Sequence, residues 1–270
     1  MNLALFFEGT GQGVAGKFTN VTRLKEMCVE DATQHLHLES GPGTRFGAYL
    51  FGKICGADCR AILRSARRWF QQNYTTLPAP CSPTPTPTPT SCSNSHSHSN
   101  SLSTSVFLFG FSRGALLARK FAEWLDKLGI EVAYLGVWDT VDSAMKVDVG
   151  EECPKCVGFA RHAVARDERR RYFGLVPLRF RAKQGEERVF PGVHSDVGGL
   201  YEDNHDMADA ALTWIGEEAV ARGLKLKAGR DFRRGLELVK LPVHDSFRLI
   251  SNLWGLLGEK VRKVAGARSE

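Results

Sequence analysis

The sequence lacks an apolar run long enough to cross a bilayer as a helix, which takes about 20 residues. Its first residues, "MNLALFFEGT", have no basic segment ahead of the apolar one and no room for a cleavage site, so a signal peptide is also missing. Together these absences predict a cytoplasmic protein, and they leave export by a non-classical route open.

A strong excess of charge of one sign is missing as well. The 36 Lys and Arg residues exceed the 30 Asp and Glu residues by only six. A surplus of this size is typical of a solvated basic face, so we expect no nucleic-acid partner. The alternative, a basic protein that binds nucleic acid or a membrane surface, rests on charge alone and predicts salt-sensitive binding.

The seven cysteines are an odd number scattered along the chain, which argues against a full disulfide framework. Two pairs, Cys55 with Cys59 and Cys153 with Cys156, would together supply the four thiolates of a zinc site. Only the second pair, "CPKC", has the spacing of zinc ligands. We therefore predict unpaired thiols, no metal and no organic cofactor.

One segment has almost nothing to bury. Residues 78–104 read "PAPCSPTPTPTPTSCSNSHSHSNSLST", a composition that cannot offset the entropy lost on ordering. We predict a disordered insertion within a single domain that spans residues 1–270, because the segments on either side continue one pattern.

Strand-like and helix-like segments alternate through the rest of the chain. Strands are predicted in "LALFF", "QHLHL", "VFLFG", "EVAYLGVW" and "ERVF", and helices in "NVTRLKEMCVE", "CRAILRSARRWFQQNY", "ALLARKFAEWLDKLG" and "DMADAALTWIGEEAVARGL". This alternation predicts an α/β fold with a mostly parallel sheet and helices on both faces. The C-terminal "FRLISNLWGLLGEKVRKVAGAR" is amphipathic, and it predicts a helix that packs on the domain or makes a peripheral membrane contact.

The stretch "VFLFGFSRGALLAR", residues 106–119, combines a strand-like run, the motif Gly-x-Ser-x-Gly and a helical pattern. In α/β hydrolases this context holds the serine on a strained turn from strand to helix, where small residues on both sides avoid clashes. A serine hydroxyl needs such a presentation, and a base, to act as a nucleophile. We therefore predict that Ser112 is a nucleophile rather than a serine that merely lies between two glycines.

Candidates for the acid and the base follow at the ends of later strands, where the catalytic groups of open α/β sheets gather. Asp139 follows "YLGVW" and His194 lies in "FPGVHSDVGG", so Ser112, Asp139 and His194 keep the chain order of an α/β hydrolase. In this assignment His194 accepts the serine proton and Asp139 orients the imidazole.

Other interpretations of these positions stay open. Asp196 and His244 also keep the chain order and form an alternative acid and base, with Asp245 as a further acid. The alternative for Asp139 is a helix N-cap, with Thr140 helping, and the alternative for His194 is a hydrogen-bonded core histidine.

An acyl-transfer step also needs backbone N–H groups that face the developing oxyanion. The residue after the nucleophile, Arg113, is expected to supply one of them. The glycine-rich loop "EGTGQG" follows the first strand and is expected to supply the other from Gly9 or Thr10. The same loop lacks the lysine and the spacing of a nucleotide-binding P-loop.

Four segments together resemble the type VI secretion lipase-effector family of α/β hydrolases: "FFEGT" with "TNVTRL", "FLFGFSRGALLAR", "LGVWDTV" and "FPGVHSDVGGLY". The segment "ARDERRRYF", residues 165–173, resembles a mid-domain motif of that family, and "VHDSF" resembles a late one. The resemblance runs from about Leu3 to about Phe247. It departs from the usual pattern at Glu8, where the family has Asp, and at Leu200, where it has a third glycine.

The resemblance implies an α/β-hydrolase-like fold and an enzyme of the phospholipase A class, which cleaves acyl esters of glycerophospholipids. Carried over by motif, Ser112 is the nucleophile, Asp139 the acid and His194 the base. The expected partner is a phospholipid or another acyl-ester substrate. The alternative is a catalytically inactive hydrolase fold that serves as a binding module, and labelling of Ser112 by a fluorophosphonate probe discriminates between the two.

Overall fold

The structure is a computed structural model that describes most of the amino-terminal four-fifths of the chain. The described residues are 1–11, 19–44, 58–74, 104–142, 147–232 and 243–244. The insertion predicted at 78–104, except for its last residue, and the C-terminal helix predicted from Phe247 onwards lie outside the described residues.

Within the described residues, parallel strands form one sheet in the order β2-β1-β3-β4-β5-β6. The strands are β1 (Asn2–Phe7), β2 (Gln34–Glu39), β3 (Ser105–Phe111), β4 (Tyr134–Trp138), β5 (Ala160–Ala165) and β6 (Gly185–Phe190). The three central strands β1, β3 and β4 are almost fully buried, as expected for a parallel sheet covered on both faces.

The helices in the described part of the chain are α1 (Asn20–Met27), α2 (Cys59–Asn73), α3 (Arg113–Lys127), α4 (His194–Gly198) and α5 (Asp206–Ala221). Four of them lie in segments whose apolar spacing predicted a helix. The exception is α4, a single short turn within the segment that follows β6, for which the sequence predicted only the end of a strand.

Alternate residues of β1 point to opposite faces of the sheet. Leu3, Leu5 and Phe7 pack with α2 and α3 in one apolar cluster, whereas Ala4 and Phe6 pack with α1 and α5 in a second. This arrangement confirms the predicted fold class. Because the strands are parallel, their carboxyl ends meet at one edge of the sheet, where the candidate residues lie.

The sequence did not predict β5. Its residues "ARHAVA" include Arg161 and His162, and two polar side chains obscure the apolar run of a buried strand. In the structure both have partners within the protein: Arg161 forms an ion pair with Glu218 on α5 at 3.0 Å, and His162 bonds to Glu187 on β6 at 3.0 Å.

In the described residues, no helix is both long and apolar enough to span a membrane, and no group of three His, Cys, Asp or Glu side chains is placed to hold a metal ion. Of the cysteines considered for zinc, Cys55 lies outside the described residues. Burial raises the pKa of Cys59 to about 11 and the pKa values of Cys153 and Cys156 to about 12. These three thiols therefore remain protonated at neutral pH.

Candidate active site

The turn after β3 holds Ser112 in a strained conformation. Its backbone has φ 59° and ψ −125°, a combination that residues other than glycine rarely adopt. Its N–H donates to the carbonyl oxygen of Trp138 at 3.0 Å, which fastens the turn to the end of β4, and α3 begins at the next residue. Backbone strain of this kind costs about 1–3 kcal/mol and is concentrated at functional sites.

Two glycines make this turn possible. A Cβ on Gly110 would lie 2.5 Å from the carbonyl oxygen of Gly114, and a Cβ on Gly114 would lie 2.1 Å from the carbonyl oxygen of Phe7. Both obstacles are backbone atoms within the core, which cannot move aside. The chain therefore requires glycine two residues before and two residues after Ser112, which is the physical content of the Gly-x-Ser-x-Gly motif.

Asp139 lies at the end of β4 and is fully buried. Its backbone is in the left-handed region (φ 41°), which aspartate tolerates better than most residues. Its N–H donates to the carbonyl of Ala163 at 2.7 Å, and its Oδ1 accepts the N–H of Ala165 at 2.9 Å, so β5 fixes both backbone and carboxylate. No described helix begins at Asp139, so within the described residues it is not a helix cap.

His194 opens α4 and is also buried. Its Nδ1 lies 2.5 Å from Oδ2 of Asp139, and its ring stacks on Phe111 with the centroids 4.5 Å apart. Phe111 directly precedes Ser112, so the strained turn and the histidine–aspartate pair meet at one corner of the sheet. The edge of Phe173 contacts the imidazole as well, at a centroid distance of 4.9 Å.

A second buried histidine supports the turn that carries Asp139. Nε2 of His162 accepts the N–H of Thr140 at 3.2 Å, and Nδ1 lies 3.0 Å from Oε2 of Glu187. Burial lowers the pKa of His162, so its neutral form is favoured, with Nδ1–H donating to the glutamate. The sequence reasoning missed this residue because it missed the strand on which it lies.

The loop after β1 contacts the turn at Ser112 directly. A Cβ on Gly9 would lie 3.4 Å from Cβ of Ser112, and Nε of Arg113 hydrogen-bonds to Oγ of Thr10. However, the N–H of Gly9 donates to Oε2 of Glu8 at 3.1 Å. The N–H of Gly9, one of the two donors expected from this loop, is thus bonded to Glu8 in the structure.

The carboxyl group of Glu8 anchors this loop to the start of α1. The hydroxyl of Thr19 lies 2.7 and 2.8 Å from its two oxygens, and the hydroxyl of Thr22 bonds to it as well. Thr19 is also the N-cap of α1. Burial raises the pKa of Glu8 although these hydrogen bonds oppose the shift. The motif "FFEGT" with "TNVTRL" is thus a single structural unit that holds the loop beside Ser112.

The family model of the catalytic domain of Tle1-like phospholipase effectors of the type VI secretion system matches residues 1–132 and 130–218. These matches cover well over half of the chain. The chain belongs to the Tle1-like effector family. Ser112, Asp139 and His194 all lie within the matched residues. A search of curated proteins found no match.

Two solved structures share the fold of this Tle1-like chain. An uncharacterized protein from Pseudomonas aeruginosa is 18% identical, with a TM-score of 0.51 over 84% of this chain and 46% of its own. The Tle1 effector bound to the VgrG spike of the type 6 secretion system is 20% identical, with a TM-score of 0.50 over 74% of this chain and 51% of its own. The chain spans about half the length of each. The likeness confirms the α/β-hydrolase-like fold.

The Tle1-like chain has a second histidine–aspartate pair, the alternative that the sequence left open. Nδ1 of His244 bonds to Oδ1 of Asp196 on α4, and Nε2 lies 3.1 Å from Oδ2 of Asp203. Burial alone lowers the pKa of His244, but the bonds to both carboxylates outweigh it and raise the pKa above its ordinary value. The further candidate acid, Asp245, lies outside the described residues.

A carboxylate on each ring nitrogen favours the protonated form of His244, and the bond to Asp196 joins this residue to α4. The ring of Tyr201 stacks on the imidazole with the centroids 3.9 Å apart, which adds to this anchoring. The ring of His194 contacts the carboxylate of Asp139 through Nδ1. The structure therefore brings both pairs together, and the ring of His194 lies against Phe111, the residue that precedes Ser112.

Proposed function

We propose that this chain is a serine hydrolase that cleaves acyl esters of phospholipids through Ser112, Asp139 and His194. The observation that carries the proposal is the contact of 2.5 Å between buried His194 and Asp139 at the corner where Ser112 occupies a strained turn. Membership in a family of phospholipase effectors supports the substrate class.

The proton transfers follow from the orientation of the imidazole. Asp139 accepts the Nδ1–H of His194 and so keeps Nε2 as the proton acceptor. Nε2 takes the hydroxyl proton of Ser112 while Oγ attacks the ester carbonyl carbon. The proton then passes to the leaving alcohol oxygen, which releases a lysophospholipid and leaves an acyl-enzyme. Water hydrolyses the acyl-enzyme with His194 again acting as the base.

We assign the oxyanion donors to the backbone N–H groups of Arg113 and Thr10. Arg113 is the first residue of α3, so its N–H lies at the positive end of a 15-residue helix. Its side chain bonds to the hydroxyl of Thr10, which ties the two donors together. Removing one such donor from a serine hydrolase costs about a hundredfold to a thousandfold in kcat.

The test is hydrolysis of a short p-nitrophenyl ester and of phospholipid vesicles. The proteins compared are the wild type and the variants Ser112→Ala, Asp139→Ala, His194→Ala and His244→Ala. We expect kcat to fall by about a thousandfold or more in the first three, since triad residues act as a unit. We expect His244→Ala to stay within about tenfold of the wild type, because His244 has a structural role. Thermal melting identifies variants that fail to fold.

Two outcomes would overturn parts of this proposal. If His244→Ala loses turnover and His194→Ala keeps it, the base is His244 and the acid is Asp196. If the folded wild type is no more active than Ser112→Ala on any ester, and a fluorophosphonate probe does not label Ser112, the chain is an inactive hydrolase fold that serves as a binding module.

A further inference from the structure

The segment after β5 holds a buried carboxylate against the start of α4. Oε2 of Glu168 accepts the backbone N–H of His194 at 3.2 Å, and the Glu168 side chain has no exposed surface. That N–H is one of the donors that a helix leaves without an intrahelical partner at its first turn. Glu168 therefore fixes the backbone from which the imidazole of His194 extends.

Arg170 balances the charge of this carboxylate. Its Nε lies 2.8 Å from Oε1 of Glu168 and its terminal nitrogen lies 2.7 Å from Oε2, a bidentate pair. The guanidinium also lies over the ring of Phe173, 3.6 Å from the centroid, and Phe173 is the ring whose edge contacts His194. Glu168 and Phe173 thus each contact His194, and Arg170 contacts both of them.

The pair is ionised in the folded protein. Burial alone raises the pKa of Glu168, but the hydrogen bonds and the charge of Arg170, together with the charge of His194, outweigh it and hold the pKa below its usual value. All three residues of this support lie in "ARDERRRYF", the segment to which the sequence analysis assigned no role.

We propose that Glu168 is a positioning residue for His194 and that Arg170 neutralises it, so that the pair orients the histidine without adding net charge beside it. This inference rests on the proposed function, because it takes His194 to be the base. An unpaired charge beside His194 would change the pKa of the imidazole and so its readiness to accept a proton. Because Glu168 and Arg170 carry opposite charges, together they avoid this change.

Several charged or titratable groups lie on the elements around His194. They include Asp139 after β4, Arg113 at the start of α3, His162 on β5, Asp209 on α5, Asp196 on α4, Tyr201 after α4, and Glu168 and Arg170 after β5. The variants below change the last two only, so the remaining groups form a constant background.

The experiment measures the rate at which a fluorophosphonate probe labels Ser112 as a function of pH. In Glu168→Gln the positive charge of Arg170 has no carboxylate partner, so it should lower the pKa of His194. We therefore expect the acidic limb of the profile to move to lower pH by about 0.5 unit or more. In Arg170→Gln the carboxylate is unbalanced, and the limb should move to higher pH. The double variant Glu168→Gln/Arg170→Gln has no net charge and should return the limb to the wild-type position while remaining about tenfold slower.

Loss of packing alone would slow labelling without displacing the limb. Arg161→Gln provides the control, because it breaks an ion pair at the other end of β5 and should leave the limb in place. An unmoved limb in folded Glu168→Gln overturns the inference. If Arg170→Gln fails to fold, the single glutamate variant and the double variant decide the question. If the wild type is not labelled at Ser112 at all, the proposed function fails instead, so the two failures are distinguishable.

Discussion

The two histidine–aspartate pairs differ in what surrounds the imidazole, although both satisfy the same order along the chain. His194 and Asp139 are buried at the carboxyl edge of the sheet, and strands fix the carboxylate. The side chain of His244 is 22% exposed, and it bonds to Asp196 on one nitrogen and to Asp203 on the other. Two pairs of the same residue types therefore have different surroundings in the structure.

The difference teaches that a base is recognised by the use of both ring nitrogens. A histidine that orients itself through Nδ1 has a second nitrogen with which to accept a proton. A histidine held between two carboxylates is stabilised in its protonated form and is therefore less suited to accept a proton. Chain order cannot separate these cases, because it does not report the second carboxylate.

Replacing the aspartate of each pair by asparagine should give the largest difference in kcat between the two pairs. Asp139→Asn keeps the shape of the site but favours the wrong tautomer of His194, so we expect kcat to fall by about 10⁴-fold. Asp196→Asn should lower the melting temperature, because Asp196 also accepts the N–H of Val193 at 2.8 Å, yet kcat should change by less than about tenfold. Ester hydrolysis and thermal melting of both variants measure these effects. Equal loss of kcat in folded proteins would contradict the distinction.

Much of the fold could be predicted from the sequence, because apolar spacing reports burial directly. The helices α1, α2, α3 and α5 lie where that spacing predicts them, and so do all but one of the strands in the described residues. The exception is β5, where Arg161 and His162 interrupt the apolar pattern. Their partners, Glu218 and Glu187, lie on other elements, so local sequence carries no sign that these polar side chains are satisfied inside the protein.

The strained turn at Ser112 was predictable from the sequence, and the contacts around it were less so. The strain at Ser112 requires glycine on both sides, and this requirement is visible as a motif. The N–H of Gly9 donates a hydrogen bond to the side chain of Glu8. This bond depends on the conformation of that side chain, which the sequence does not specify. Glu168 and His194 are in contact although they lie 26 positions apart in the sequence. The helix that begins at His194 has only five residues, too few for apolar periodicity to predict it.

A substitution of Gly198 tests how the surroundings of His194 hold its imidazole. Gly198 lies on α4, the helix that carries both His194 and Asp196. A Cβ on Gly198 would lie 2.1 Å from Cζ of Phe111, the ring that stacks on His194. We expect Gly198→Ala to cost about 1–3 kcal/mol of unfolding free energy, through overpacking, and to lower kcat as Phe111 moves. Urea unfolding and ester hydrolysis measure the two effects.

The matched control for that substitution is Gly174→Ala, since a Cβ there would meet no atom within 4 Å. It should change the unfolding free energy by less than about 0.5 kcal/mol. If Gly198→Ala behaves like this control, the core around Phe111 is loose enough to adapt, and the stacking on His194 is not what holds the imidazole.

The smallest expected effect concerns the second pair and its dependence on pH. The folded protein raises the pKa of His244 above its ordinary value of 6.5, so folding favours the protonated form. The stabilisation is therefore fully present below about pH 6.5 and is lost as the pH rises through the higher folded pKa. For a partly exposed pair it should amount to less than about 1 kcal/mol. The unfolding free energies of the wild type and His244→Gln should differ more at pH 6 than at pH 8.5, in urea titrations at about those pH values.

Asp203→Asn separates the contributions of the two carboxylates to this dependence. It removes the exposed partner of His244 and leaves Asp196, so the difference between the two pH values should shrink but persist. Complete loss in Asp203→Asn would mean that Asp196 does not hold the cation. In that case Asp196 would be available as an acid, and the preference for Asp139 would rest on its burial and on its contact with His194 beside Phe111. A dependence that shrinks but persists keeps His244 as a structural cation and leaves His194 as the histidine suited to accept a proton.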